Sequence, residues 1–220
     1  MTQASPTSPQ ASPTTGFVAL AASVPGRKHL REGIPCQDGS RAGIAPWPHV
    51  VVADGRGSAA FSQLGAQAAC QAVIDTLESA RLLFAAVLDG DDDARADQLW
   101  PLVKDLLVGS VLNRHRTVAQ KQQLAMTQLE HTLLVVVIGK RRLAHLHVGD
   151  GAIVIEDGQG IRTISSPDRG EFANMTCFVG EKTQPDQIRG GLIRADGISG
   201  LAAMSDGTAD RLIHSQTNVP

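Results

Sequence analysis

Four aspartates, each followed at once by glycine, are the residues best suited to chemistry: Asp38-Gly39, Asp54-Gly55, Asp150-Gly151 and Asp206-Gly207. The sharpest case is Val50-Val51-Val52-Ala53-Asp54-Gly55-Arg56-Gly57, where an apolar run ends directly in a carboxylate. Two carboxylates about 4 Å apart repel by roughly 4 kcal/mol at an effective dielectric near 20, so several that converge require a cation. Oxygen donors alone select hard ions such as Mg²⁺ or Mn²⁺ over zinc, which recruits His or Cys. Glycine beside each Asp lets a carbonyl or a phosphate approach closely. Taken singly, an Asp-Gly step is a common turn. The recurrence at the ends of apolar runs is what points to a shared divalent-cation site.

The elements that must position these carboxylates follow from the same pattern. Short β-branched runs bounded by Gly, Asp or charge predict strands at 16–23, 49–53, 132–139, 143–148, 152–156 and 201–205. Lys140-Arg141-Arg142 reads as a hairpin tip between two of them. Helical spacing of Phe61, Leu64, Ala68, Ala72 and Leu77 predicts a helix over 58–80, with Ser58 as N-cap. A second helix is expected over 97–130, with Leu99, Val103, Leu106, Val111, Leu124 and Leu129 on one face and an interruption near Gly109. Asp89-Gly90-Asp91-Asp92-Asp93 superficially resembles a calcium loop but lacks a glutamate at the twelfth position, and reads as a solvated loop.

Composition removes several function classes. A length of 220 residues without a central linker fits one domain, 16–220, preceded by a disordered Ser/Thr/Pro/Gln-rich tail, 1–15, that lacks a signal-peptide core. A formal charge of −2 leaves no footprint for nucleic acid or an anionic membrane surface, and the absence of tyrosine argues against base stacking. The longest apolar run, 132–139, is far short of the roughly 18 residues that span a bilayer. Three cysteines, Cys36, Cys70 and Cys177, without CxxC spacing read as reduced thiols of a cytoplasmic protein. His145 and His147 share a strand face, but no third His or Cys accompanies them, so solvent-facing or sheet-packing roles are favoured over metal binding. Gly55-Arg56-Gly57-Ser58 has the look of a phosphate nest at a helix start, yet lacks the lysine of a P-loop.

The order of motifs resembles the metal-dependent protein phosphatases, the protein phosphatase 2C family. It runs Gln37-Asp38, Val51 to Gly57, Thr132-Leu133-Leu134, Val148-Gly149-Asp150-Gly151, Met204-Ser205-Asp206-Gly207. Gly170-Glu171-Phe172-Ala173-Asn174-Met175-Thr176 is similar to a segment of a bacterial branch of that family. The resemblance covers the chain from about Gly16 to Arg211. It implies an α+β fold, a four-layer αββα sandwich of two antiparallel sheets whose faces the two long helices cover, with two or three Mn²⁺ or Mg²⁺ ions at one end. It further implies that Asp54 bridges two ions, the Gly55 carbonyl binds one, Asp206 holds the other, Asp38 ligates or orients a water, and Asp150 belongs to a third, looser position. Such a pair of ions activates water for in-line attack on a phosphoserine or phosphothreonine, with no protein nucleophile.

Two departures stand out. Family members place a phosphate-gripping arginine five residues before the first Asp, where this chain has Gly33; Arg27, His29 and Arg31 lie just upstream on what reads as an enlarged loop. His29, of a residue type that ordinarily titrates near neutrality, is the candidate general acid for the leaving alkoxide. The family also carries a further metal-binding Asp on a final strand, and with the sequence ending at Pro220 the site is expected to be short of one ligand. The expected activity is therefore a cytoplasmic protein serine/threonine phosphatase acting in signalling on a phosphoprotein, a bacterial Ser/Thr kinase or its targets. The alternative is a non-catalytic, phosphatase-like module that binds a phosphoprotein or regulates a kinase.

Overall fold

Residues 133–138 read Leu-Leu-Val-Val-Val-Ile and every one is buried, so this strand has to be covered on both faces. The computed structural model, which describes residues 10–11, 16–166, 176–214 and 219–220, meets that demand with layers. In chain order the elements are β1 (Gln10–Ala11), β2 (Val18–Ala19), α1 (Arg27–Glu32), β3 (Gly39–Gly43), β4 (His49–Ala53), α2 (Ser62–Ser79), α3 (Arg81–Leu88), α4 (Asp93–Gln122), β5 (Leu133–Ile138), β6 (Arg142–Val148), β7 (Ala152–Asp157), β8 (Gly160–Ser165), β9 (Arg189–Arg194), β10 (Gly200–Met204) and α5 (Asp206–Leu212). Five strands form an antiparallel sheet in the order β3-β4-β5-β6-β9, and three form a second in the order β10-β7-β8.

The period of two along each strand sorts the core. Leu133, Val135 and Val137, with Val51 and Leu146, face α2, α3 and α4, where Leu77, Phe84 and Leu107 complete one cluster. Leu134, Val136, Ile138 and Leu143 turn the other way and meet Ile153 and Ile155 of the small sheet. On the far side of β7, Ala152 and Val154 receive Ala209 of α5 and Ile213 just beyond it. The result is the αββα order the sequence suggests, with one correction. Both long helices, α2 and α4, lie on the same outer face, and the opposite face carries the short α5.

Several boundaries differ from expectation. The strand expected over 16–23 is reduced to Val18–Ala19, paired with Gln10–Ala11; the rest of 1–15 lies outside the described residues. The first long helix starts at Ser62, and its cap is Phe61, without a side-chain bond, not Ser58. The second begins at Asp93 and passes Gly109 unbroken to Gln122, because Val103, Leu107, Val108 and Val111 bury one continuous face across that glycine. Asp89 to Asp93 is a bracket more than a solvated loop. Asp92 caps α4 by accepting from the Arg95 amide (2.9 Å), and Asp89 accepts from Trp47 Nε1 (2.9 Å) and the Lys140 amide (2.7 Å). Arg142, 4% exposed despite its place at the hairpin tip, donates to Val87 O and Gly90 O and pairs with Asp93. Among the described residues no helix is long and apolar enough to cross a membrane.

A buried histidine pair ties the helices to the sheet edge. His131 Nδ1 lies 2.6 Å from the Thr132 carbonyl and must donate to it, which leaves its Nε2 as acceptor. His115 Nε2, 3.1 Å away and also 3.2 Å from Gly65 O, supplies the proton. Both rings are thus neutral, and burial, then the neighbouring ring, pushes His131 down from its ordinary 6.5 to about 3. The unfolded chain takes up protons below pH 6.5 that the folded chain refuses, so this contribution is present above that value and lost as pH falls toward about 3. Urea unfolding is expected to show the stability advantage of wild type over His131→Gln shrinking between about pH 7 and about pH 4.5. An advantage that stays constant would contradict the neutral-pair assignment.

Candidate metal centre

Three chain segments bring a carboxylate to one end of the sandwich. Register pairs Gly39 of β3 with Ala53 of β4, so Asp38, just before β3, stands across from Asp54, just after β4. The Thr132 amide donates to Asp54 O (2.8 Å), and the Asp54 amide donates to Thr132 Oγ1 (3.1 Å), clamping its backbone from both sides. Asp206 opens α5 directly after β10. Glycine next to Asp54 is obligatory on packing grounds: a Cβ on Gly55 would stand 2.6 Å from Gln37 O and 2.7 Å from Ser62 Oγ. Asp38, Asp54, Gly55, Asp206 and His29 all line one cavity of about 820 Å³. A second cavity, about 710 Å³, sits at the other end of β4 against Trp47, Leu82 and Ile198, remote from these carboxylates.

The electrostatics of the cavity are those of crowded acids. Burial, then the charge of Asp38, then hydrogen bonds with Asp38 and Asp206 push Asp54 from 3.8 up to about 9. Burial also raises Asp38, against the lowering effect of its hydrogen bond with Asp54; the Asp206 charge raises it further and His29 offsets part of that. Asp54 is therefore the middle of a chain, within hydrogen-bonding reach of a carboxyl on either side. Protons here do the neutralising that a cation would do. The donor set, carboxylates beside a glycine backbone, fits a hard divalent ion in chemistry. Among the described residues, however, no three His, Cys, Asp or Glu side chains are drawn into a group ready to hold an ion.

Comparison with known proteins identifies the family. Residues 25–220 match the family described as Protein phosphatase 2C. This chain belongs to the protein phosphatase 2C family. It is 28% identical over 164 residues to serine/threonine-protein phosphatase 3 of Escherichia coli (strain K12), a match covering 72% of this chain and 60% of that protein. The chain thus spans well under two thirds of the length of that curated relative. Its fold is shared with a bacterial serine phosphatase crystal structure, at TM-score 0.52 and 14% identity over 79% of this chain and 73% of that one. The Mycobacterium tuberculosis serine/threonine phosphatase PstP/Ppp follows at TM-score 0.50 and 19% identity, over 83% and 76%.

Within this phosphatase 2C fold the remaining sequence candidates fall in different places. Asp150 does not line the cavity; it accepts from Thr176 Oγ1 at 2.7 Å. Arg27, His29 and Arg31 lie not on a loop but on α1, which ends at Gly33 with φ 67°, and Arg31 is outside the lining while Arg27 is within it. Gly55 to Ser58 precedes α2 by several residues, so no helix start backs that nest. Residues 170–175 lie outside the described residues. Cys36 does reach the cavity, yet burial pushes its thiol up and the charges of Asp38 and Asp54 add to this, opposed by a backbone hydrogen bond at Asp38, which makes it a poor nucleophile. His147 is buried in the sheet sandwich, where Arg189 donates to its Nε2 (3.0 Å) and its Nδ1 meets Ser165 Oγ (2.6 Å). Arg211, five residues after Asp206 on α5, also lines the cavity and has no sequence signal beyond that proximity.

With Asp54 held near 9 rather than 3.8, its contribution to stability is complete below about pH 3.8 and is lost as pH rises through about 9. In excess chelator the melting temperature of wild type is expected to fall relative to that of Asp54→Asn across this range, and Mn²⁺ to restore it selectively in wild type. Parallel curves would contradict the crowded-carboxylate description.

Proposed function

We propose that this chain hydrolyses phosphoserine or phosphothreonine in proteins with the help of Mn²⁺ or Mg²⁺. The observation that carries the reading is the convergence of Asp38, Asp54 and Asp206 from three separate segments on one open cavity, with Asp54 between the other two. In this reading Asp54, the Gly55 carbonyl and Asp206 would hold the divalent ions, and Asp38 would ligate them or orient water beside them. Asp150 is assigned to a third, looser position outside the cavity lining. Bound there, paired ions would supply water of lowered pKa and neutralise charge on the phosphoryl oxygens.

The chain's own residues account for the rest. The Thr132 clamp holds Asp54 so that its carboxylate does not reorganise when substrate arrives. His29, half-buried in the cavity wall and close enough to Asp38 to influence it electrostatically, is placed to give a proton to the leaving alkoxide. The hydrolysed bond is P–O, water supplies the oxygen kept by phosphate, the Ser or Thr hydroxyl leaves with the proton from His29, and the proton given up by the water restores His29 through solvent. The partner is a phosphoprotein, a bacterial Ser/Thr kinase or one of its targets; three cysteines recorded as free thiols support a reducing, cytoplasmic setting.

One observation favours a second reading: among the described residues no three His, Cys, Asp or Glu side chains are grouped to hold an ion, as would suit a non-catalytic module that binds a phosphoprotein or regulates a kinase. A phosphothreonine-peptide assay with Mn²⁺, Mg²⁺ or chelator separates the two. Metal-dependent turnover that drops at least about a hundredfold in Asp54→Asn is the expected result. Absence of turnover with either ion, accompanied by tight phosphopeptide binding, would replace the enzyme with the module.

A further inference from the structure

A phosphate dianion entering this cavity meets Asp38, Asp54 and Asp206 in its lining, and needs cationic side chains to hold it there as well as any ions. Gly33, where an arginine is expected by resemblance, has no side chain and sits in the left-handed region at φ 67°, so the backbone at that position disfavours any replacement. Arg56 is nearby in sequence but is committed elsewhere, donating to Glu130 at 2.5 Å and lying 5.4 Å over the Phe178 ring. Among the described residues, two arginines line the cavity: Arg27 on α1 and Arg211 on α5.

The two differ in how firmly they are held. Among the side chains described on α1 none is buried, and Gly26 at its start makes no side-chain cap. α5 is seated by Ala209, 5% exposed, and Ile213, 8% exposed, on Ala152 and Val154 of β7. The same short helix carries Asp206 at its first position, so Arg211 and a lining carboxylate move as one body. Arg211 itself is exposed and has no ion pair among the described residues, leaving its guanidinium fork available. A planar fork matches two phosphoryl oxygens at once, which a lysine or a histidine does not.

We propose that Arg211 is the substrate-binding residue that grips the phosphoryl group, taking from the α5 side of the cavity the role that position 33 leaves empty. This rests on the phosphatase reading, but is testable apart from it. Arg211→Gln and Arg211→Lys are compared with wild type on a phosphothreonine peptide in saturating Mn²⁺, with melting temperature as a folding control. Loss of a charge-assisted bond is expected to raise KM by about tenfold or more in Arg211→Gln, with a smaller change in kcat, and Arg211→Lys to recover part of it. A KM within about twofold of wild type in Arg211→Gln would overturn the assignment. Should wild type itself show no turnover, the phosphatase reading falls, and fluorescence anisotropy with the phosphorylated and unphosphorylated peptide decides for Arg211 alone. Loss of the preference for the phosphorylated form in Arg211→Gln supports the assignment, and an undiminished preference overturns it.

Discussion

Mutual repulsion among Asp38, Asp54 and Asp206 is the constraint around which the rest of the molecule is organised. Left to themselves, three carboxylates in a partly buried cavity would spread apart or draw in water. Here Asp54 instead takes a proton affinity near pH 9 and shares hydrogen bonds with both neighbours. Holding acids in such an arrangement opposes folding, and the free energy has to come from elsewhere. It comes from the two-sided core behind them, in which β5 is buried along its whole length.

The way the scaffold grips Asp54 is local and redundant. Two bonds tie the Asp54 backbone to Thr132, one from the Thr132 amide and one to its hydroxyl, and Thr132 is followed into the sheet by six buried apolar residues. One residue upstream, His131 bridges Gly55 on one side and Val179 on the other, while its ring is locked against His115 of α4. The site is thereby connected to both the long helix and the sheet. Asp206 is held differently, through the seat of α5 on the small sheet, so relative movement of the two sheets would change the Asp54 to Asp206 contact most directly.

Much of this was legible in the residue pattern, for identifiable reasons. The strands around Val51, Val135, Leu146 and Ile153 announce themselves because their residues are branched and apolar, and all but β4 are buried on both faces over most of their length. Asp38, Asp54 and Asp206 are marked by the glycine after each, and the cavity brings all three together with His29. Gly-Ser-Arg-Ala-Gly at β3 and Arg-Gly-Gly-Leu-Ile-Arg at β9 carry no such alternation; they are strands because β4 and β6 offer them an edge. α3 was hidden because its Arg-Leu-Leu-Phe-Ala-Ala-Val-Leu run follows α2 with only Ala80 between. Asp150 has the same dipeptide as the others but spends its carboxylate on Thr176. Arg211 was invisible because its place depends on how α5 seats, a tertiary fact that no local pattern encodes.

We propose that a divalent cation displaces the proton that burial and the neighbouring acids keep on Asp54 and turns this carboxylate cluster into a metal centre. Calorimetric titration of Mn²⁺ near pH 7, in two buffers of different ionisation enthalpy, tests it most directly because it counts protons released on binding. Saturable binding with release of about one proton, absent in Asp54→Asn, is the result the account predicts. Saturable binding that releases no proton, or that persists unchanged in Asp54→Asn, would contradict it.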